Sequence, residues 1–218
     1  MAKEVLIFDC DGVLVDSETL MVELQAKLLS EAGFRLTADE IVERFVGRTY
    51  PDMLTEIGLQ FGRTVGESLA NEIRQATMAK LEADLQPLTG MPELLAGLDG
   101  PRCVASSSDL GRIHMSLVTT GLDCYFDRGA VFSAQMVPHP KPAPDLFLHA
   151  AAALEVAPDR CLVIEDSPHG VEAAIAAGMT AVGLTAAGHA RPSLTGRLLG
   201  AGATDVFDAV EQLGRSLR

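Results

Sequence analysis

The feature that most restricts the fold is a series of short, β-rich apolar runs at 5–8, 103–105, 130–132, 162–164 and 181–184. Most are followed by a polar or glycine-bearing turn and then a helical pattern. A strand buried on both faces reads as a continuous apolar run, so this alternation predicts an α/β fold built on a parallel sheet. Between the first two runs lie about ninety residues, whereas a whole strand–helix–strand unit needs only about thirty. Something is inserted between the first strand and the second.

The insertion, 16–85, reads almost wholly as helix. Leu20, Leu24, Leu28 and Leu29 mark an apolar stripe over Ser17–Glu31, and 65–85 carries a second long amphipathic pattern. Gly33, Gly47, Gly58 and Gly62 fall where helices are expected to stop. Ser17, Thr37 and Thr64 are expected N-caps, Thr37 with Glu40 as a capping box. The expected division is therefore a catalytic core of 1–15 and 86–218 and a helical cap of 16–85. Its hinges are expected after Gly12 and around Pro87 and Gly90.

The first strand runs into Asp9, Cys10, Asp11 and Gly12. In extended chain, residues i and i+2 project to the same side, so Asp9 and Asp11 are expected to share one site at the strand's carboxyl end. Open α/β sheets bind ligands in the crevice beyond those ends. Neighbouring like charges raise each other's pKa, so the pair calls for a shared proton or a metal. Alone, such a pair is as readily a solvated turn.

Three further segments alter that balance. The run 102–106 leads into Ser106, Ser107 and Ser108, which offer hydroxyls and backbone N–H groups to a phosphate or, more plainly, cap a helix. Lys141 stands between Pro140 and Pro142, in a stiffened segment suited to meeting an anion. The fourth run ends in Glu165, Asp166, Ser167 and Pro168, acids again, with Pro168 suited to a first helical turn. Carboxylates on strands one and four, a hydroxyl on strand two and a lysine after strand three would converge on one crevice. Together they supply oxygen ligands for Mg2+ and donors for a phosphate.

Charge supports a small anionic substrate held locally. Lys and Arg number 17 against 30 Asp and Glu, a net charge of −13, which argues against nucleic acid or an anionic membrane as partner. The start MAKEVLIFDCDG has too short an apolar stretch for a signal peptide or a membrane span, so a cytoplasmic location is expected. Cys10, Cys103, Cys124 and Cys161 form no C-x-x-C pair and are expected as reduced thiols, mostly buried.

The segments DCDGVLVDSE, CVASSS, KPAPDLF and EDSPHGVEAAIAAGM resemble, in order, the four motifs of the haloacid dehalogenase-like hydrolase superfamily. The insertion resembles the helical cap of the branch that holds phosphoglycolate phosphatases, sugar-phosphate phosphatases and β-phosphoglucomutases. The resemblance implies a Rossmann-like parallel sheet with helices on both faces, plus an inserted all-helical cap domain. It implies Asp9 as nucleophile, forming an aspartyl-phosphate, and Asp11 as acid and base. It implies Mg2+ held by Asp9, the Asp11 backbone carbonyl and Asp166, with Glu165 as ligand or support. Ser106, Ser107, Lys141 and the Cys10 backbone would hold the phosphoryl group. Arg44 and Arg48 are the cap's candidates for substrate recognition, with Met21 and Leu20 weighed as cap core against substrate wall.

Two departures sharpen this reading. The first cap helix, SETLMVELQAKLLSEAG, contains no histidine, unlike the mutases of the branch, and the histidines at 114, 139, 149, 169 and 189 all lie outside the cap. Dehalogenases of the superfamily lack an acid two residues after the nucleophile, and Asp11 is present. The expected function is a phosphatase for small organic phosphate monoesters, sugar phosphates above all. A β-phosphoglucomutase-like phosphomutase and a non-catalytic metabolite-binding relative are the alternatives. The expected partner is a small phosphorylated metabolite, with the chain a monomer or a weak homodimer.

Overall fold

The computed structural model describes residues 4–45, 50–188 and 190–217. It contains two compact units, one of Met1–Asp16 with Gln86–Arg218 and one of Ser17–Leu85.

The first unit is built on six parallel strands: β1 (Val5–Phe8), β2 (Arg102–Ser106), β3 (Val131–Ser133), β4 (Cys161–Glu165), β5 (Thr180–Leu184) and β6 (Val206–Phe207), in the order β3-β2-β1-β4-β5-β6. β1 is flanked on both sides, Ile7 pairing with Cys103 of β2 and with Val163 of β4. Alternation sends Val5, Ile7, Cys103, Ala105 and Val163 into one core cluster, while Phe8, Val104 and Ile164 are buried on the opposite face. The two-residue β6 has too little periodicity to register in sequence. It follows β5 because Gly183 and Thr185 donate to Asp205 and Phe207 carbonyls.

The second unit consists of α1 (Ser17–Glu31), α2 (Ala38–Phe45), α3 (Tyr50–Gln60) and α4 (Glu67–Asp84). Thr37 and Glu40 form the expected capping box ahead of α2. The Thr37 N–H donates to Glu40 Oε2 at 2.8 Å and the Glu40 N–H to Thr37 Oγ1 at 3.2 Å.

Three local expectations need correcting here. The most deeply buried stripe of α1 is Val22, Ala26 and Leu29, packed on Ile41, Phe45 and Ile57, while Leu20, Leu24 and Leu28 are half-buried. Leu29 is buried as expected, whereas Val22 and Ala26 take the buried places expected of Leu20 and Leu24. Gly58 lies inside α3 rather than ending it, where a Cβ would stand 3.0 Å from the Arg63 carbonyl folding back over it. Thr64 is not the cap of α4; that place falls to Gly66, which makes no side-chain cap bond. Met21, on α1, is buried.

The remaining helices belong to the sheet unit: α5 (Met91–Ala96), α6 (Leu110–Thr119), α7 (Asp145–Ala153), α8 (Pro168–Ala176), α9 (Pro192–Ala201) and α10 (Val210–Ser216). α7 and α8 bury Phe147, Ala150, Val171 and Ala174 against the first face of the sheet. No helix among the described residues is long and apolar enough to cross a membrane. The thiols of Cys10, Cys103 and Cys161 are buried and that of Cys124 is exposed, and none of the four is in a disulfide. Burial pushes the Cys10 and Cys103 thiols well up, which keeps them protonated and inert.

Gly183 of β5 is closely approached by side chains of α9 and β6. A Cβ there would lie 2.9 Å from both Leu198 Cδ1 and Val206 Cγ2. Gly183→Ala is therefore expected to lower stability by about 1–3 kcal/mol, the usual cost of overpacking a core. Urea denaturation against the wild type measures it.

Candidate active site

The carboxyl ends of β1, β2 and β4 gather the sequence's candidate residues. After Phe8 the chain stays in register for one more residue, the Asp9 N–H donating to the Ile164 carbonyl at 3.0 Å. It then turns on Gly12, at φ 81°, whose N–H donates to the Val15 carbonyl at 2.8 Å. That left-handed conformation is open to glycine at little cost. Val13, Leu14 and Val15 are fully buried, so the turn is anchored from below.

Lys141 reaches into this edge. Its Nζ donates to Asp9 Oδ1 at 2.7 Å, to Glu165 Oε1 at 2.6 Å and to the Ala105 carbonyl at 3.0 Å. All three donor directions of the ammonium are used. The side chains of Lys141 and Glu165 are only 4% and 1% exposed. Among the described residues Asp9 receives a donor only on Oδ1, which leaves Oδ2 to face a cation or an electrophile. Glu165 is spent on support. Its second oxygen accepts from the Ser167 N–H at 3.0 Å and the Ser167 hydroxyl at 2.9 Å, and that hydroxyl in turn caps α8 by accepting from the Gly170 N–H.

Asp11 is held on the other side of β1. Its Oδ2 accepts from the Ser108 hydroxyl at 2.6 Å and its Oδ1 from Arg112 Nη2 at 2.7 Å. The two carboxylates expected to share a proton or a metal thus each have a cation of their own. Sequence reasoning passed over Arg112. Its only local signal is Asp109, which caps α6 by accepting from the Arg112 N–H and so sets the direction of that first turn.

The serines divide. Ser106 is fully buried, its Oγ accepting from the Ser108 N–H at 3.2 Å and keeping its own proton for another acceptor. Ser107 is exposed and Ser108 half-buried. None of the three caps α6, a place taken by Asp109. Cys10 is buried beneath the turn, its carbonyl accepting from the N–H groups of Leu14 and Val15. Arg44 is engaged within the helical unit, donating to Glu56 at 3.2 Å and Gln60 at 2.5 Å rather than pairing with Glu40 or Glu43. Arg48 lies outside the described residues, as does His189.

Burial is the main force raising the Asp9 pKa well above the usual carboxylate range. Lys141 opposes it, while Glu165 and Asp166 add to it. For Lys141 burial alone would favour the neutral amine, but Asp9 and Glu165 prevail and hold it charged. The acids Asp9, Asp11, Glu165 and Asp166 lie at one sheet edge with the cations Lys141 and Arg112. Among the described residues no three His, Cys, Asp or Glu side chains form a metal cluster. A hard divalent cation would therefore rest on few carboxylates, Asp9 and Asp166 foremost, with backbone oxygen and water completing its shell. That donor chemistry fits Mg2+.

Acids and a buried lysine gathered at the carboxyl ends of a parallel sheet mark an enzyme core rather than a structural module. A sequence model described as haloacid dehalogenase-like hydrolase matches residues 6–184. The chain is 30% identical over 190 residues to a 6-phosphogluconate phosphatase of Escherichia coli (strain K12), covering 87% of this chain and 86% of that one. It is 32% identical over 179 residues to a fructose-1-phosphate phosphatase of the same organism, covering 81% and 94%. Among solved structures, a HAD family hydrolase of Deinococcus radiodurans R1 with bound phosphate and sodium superposes with a TM-score of 0.85 at 30% identity, over 99% of this chain and 95% of that one. The chain belongs to the haloacid dehalogenase-like hydrolase family.

Gly170 makes the Glu165 position possible, since a Cβ there would fall on the Glu165 carboxylate itself. Gly170→Ala is expected to displace Glu165, release one of the three anchors of Lys141 and lower hydrolytic turnover by about a hundredfold. Steady-state kinetics with a circular-dichroism check of folding measures this. Turnover within twofold of wild type would show that Glu165 does not hold Lys141 in place.

Proposed function

We propose that this family member is a Mg2+-dependent phosphatase that hydrolyses small organic phosphate monoesters, sugar phosphates foremost, through a phosphoryl group carried on Asp9. The observation that carries the reading is the separate placement of two carboxylates at one strand end. Asp9 is held by a buried lysine and Asp11 by an arginine and a serine. Two carboxyl groups in distinct surroundings suit distinct roles, a nucleophile and a proton carrier. The phosphatase names of the curated relatives point to the same chemistry.

In the first step an Asp9 oxygen attacks phosphorus, the ester P–O bond breaks, and the leaving oxygen takes a proton from Asp11. In the second, Asp11 takes a proton from water, the water oxygen attacks phosphorus, and phosphate leaves as the Asp9 carboxylate is restored. Lys141 balances the charge of Asp9, and Ser106, Ser107 and the N–H groups of the turn at Cys10 orient the phosphoryl oxygens. Bound Mg2+ supplies charge neutralisation between the acidic nucleophile and the anionic phosphate. Asp9, Asp166 and the Asp11 carbonyl would hold it, and Glu165 accepts from Lys141. Water as final acceptor agrees with α1, which contains no histidine.

Release of inorganic phosphate from a panel that includes 6-phosphogluconate and fructose 1-phosphate, with Mg2+ present, tests this reading. Turnover of at least one sugar phosphate is expected, with Asp9→Asn slower by about a thousandfold or more. A wild type no faster than that variant on every compound would refute it.

Chelation gives an independent check. Treatment with EDTA followed by desalting is expected to abolish turnover, and added Mg2+ to restore it. Full activity in the chelated protein would remove the metal from the mechanism.

A further inference from the structure

Arg112 stands at the third position of α6, and its placement follows from the local sequence. Asp109 caps the helix by accepting from the Arg112 N–H at 2.9 Å, which fixes the backbone from which the guanidinium extends. That guanidinium meets Asp11 across 101 residues of chain, Nη2 donating to Oδ1 at 2.7 Å. The opposite oxygen accepts from the Ser108 hydroxyl at 2.6 Å. Ser108 is itself tied down. Its carbonyl accepts from Ser133 Oγ at 2.7 Å and its N–H donates to Ser106 Oγ at 3.2 Å. The Arg112 and Asp11 side chains are 20% and 14% exposed, so solvent and salt screen the pair far less than a surface ion pair.

We propose that Arg112 is the positioning residue of the proton-transfer step, fixing with Ser108 the plane and reach of the Asp11 carboxyl toward the leaving oxygen. This rests on the phosphatase reading above. One bond to each oxygen, from Ser108 and from Arg112, fixes the plane of the carboxyl group. As the ester P–O bond breaks, its electron pair stays on the leaving oxygen, which takes the Asp11 proton to become the alcohol. Arg112 touches neither substrate nor phosphorus in this scheme and acts only through Asp11.

A poor leaving group needs that proton and a good one does not, so the role can be separated from general damage. The measurement is kcat/KM for p-nitrophenyl phosphate and for the sugar phosphate that the wild type turns over fastest. Arg112→Met keeps the bulk of the stem and removes the charged fork. Its kcat/KM is expected to fall by about 30- to 100-fold on the sugar phosphate and by less than about threefold on the aryl phosphate. Arg112→Lys is expected to recover part of the loss. Ser108→Ala is expected to show the same selectivity at smaller size, and carries the test if Arg112→Met proves unfolded by circular dichroism. Equal losses on both substrates, or no loss on either, overturn the positioning role. Failure of the phosphatase reading looks different. The wild type itself would release no phosphate above Asp9→Asn from any compound, and the positioning role would fall with it.

Discussion

A single ammonium makes the sheet edge tenable. Asp9 and Glu165 end neighbouring strands, and with Asp166 beside them they would repel strongly in a region largely withdrawn from water. Lys141 lies between them at 2.7 and 2.6 Å and is itself pinned to the Ala105 carbonyl, so it ties three strands together at their carboxyl ends. Other local choices follow from keeping it there. Gly170 leaves room for the Glu165 carboxylate, and Ser167 takes that carboxylate's second oxygen while capping α8.

The order of strands then divides the labour. β1 has β4 on one side and β2 on the other, and the acids at its end meet different cations: Asp9 the lysine that bridges β2 and β4, Asp11 the arginine of the helix that follows β2. A protein of net charge −13 thus holds two buried or half-buried cations at one edge, each matched to an acid.

Much of this was legible in sequence because parallel strands announce themselves as apolar runs and their ends as sudden polarity. Asp9, Asp11, Ser106, Lys141 and Glu165 could be placed at or near one edge from spacing alone. Arg112 could not, since an arginine in a first helical turn is ordinary, and its meaning lies in a contact 101 residues away. The separate holding of Asp11 went unseen for the same reason. In the helical unit, Thr37 and Glu40 were readable because both halves of a capping box are local. The stripe on α1 was misjudged because leucines and smaller apolar residues alternate on adjacent faces, and packing, not hydrophobicity, chose between them. Arg44 was read against its near neighbours in sequence, whereas its partners lie on the next helix.

The central place of β1 also bears on how the chain comes off the ribosome. Its four residues precede both strands that flank it, which begin at Arg102 and Cys161, so neither ladder can form until those later segments have been synthesised. The helical unit is meanwhile one uninterrupted stretch, Ser17–Leu85, compact in itself and closed by the packing of α1 on α4. The apolar VLIF segment of β1 stays unpaired until the later strands arrive. Asp9, next along the chain, takes its final surroundings only once both Lys141 and Glu165 have been synthesised.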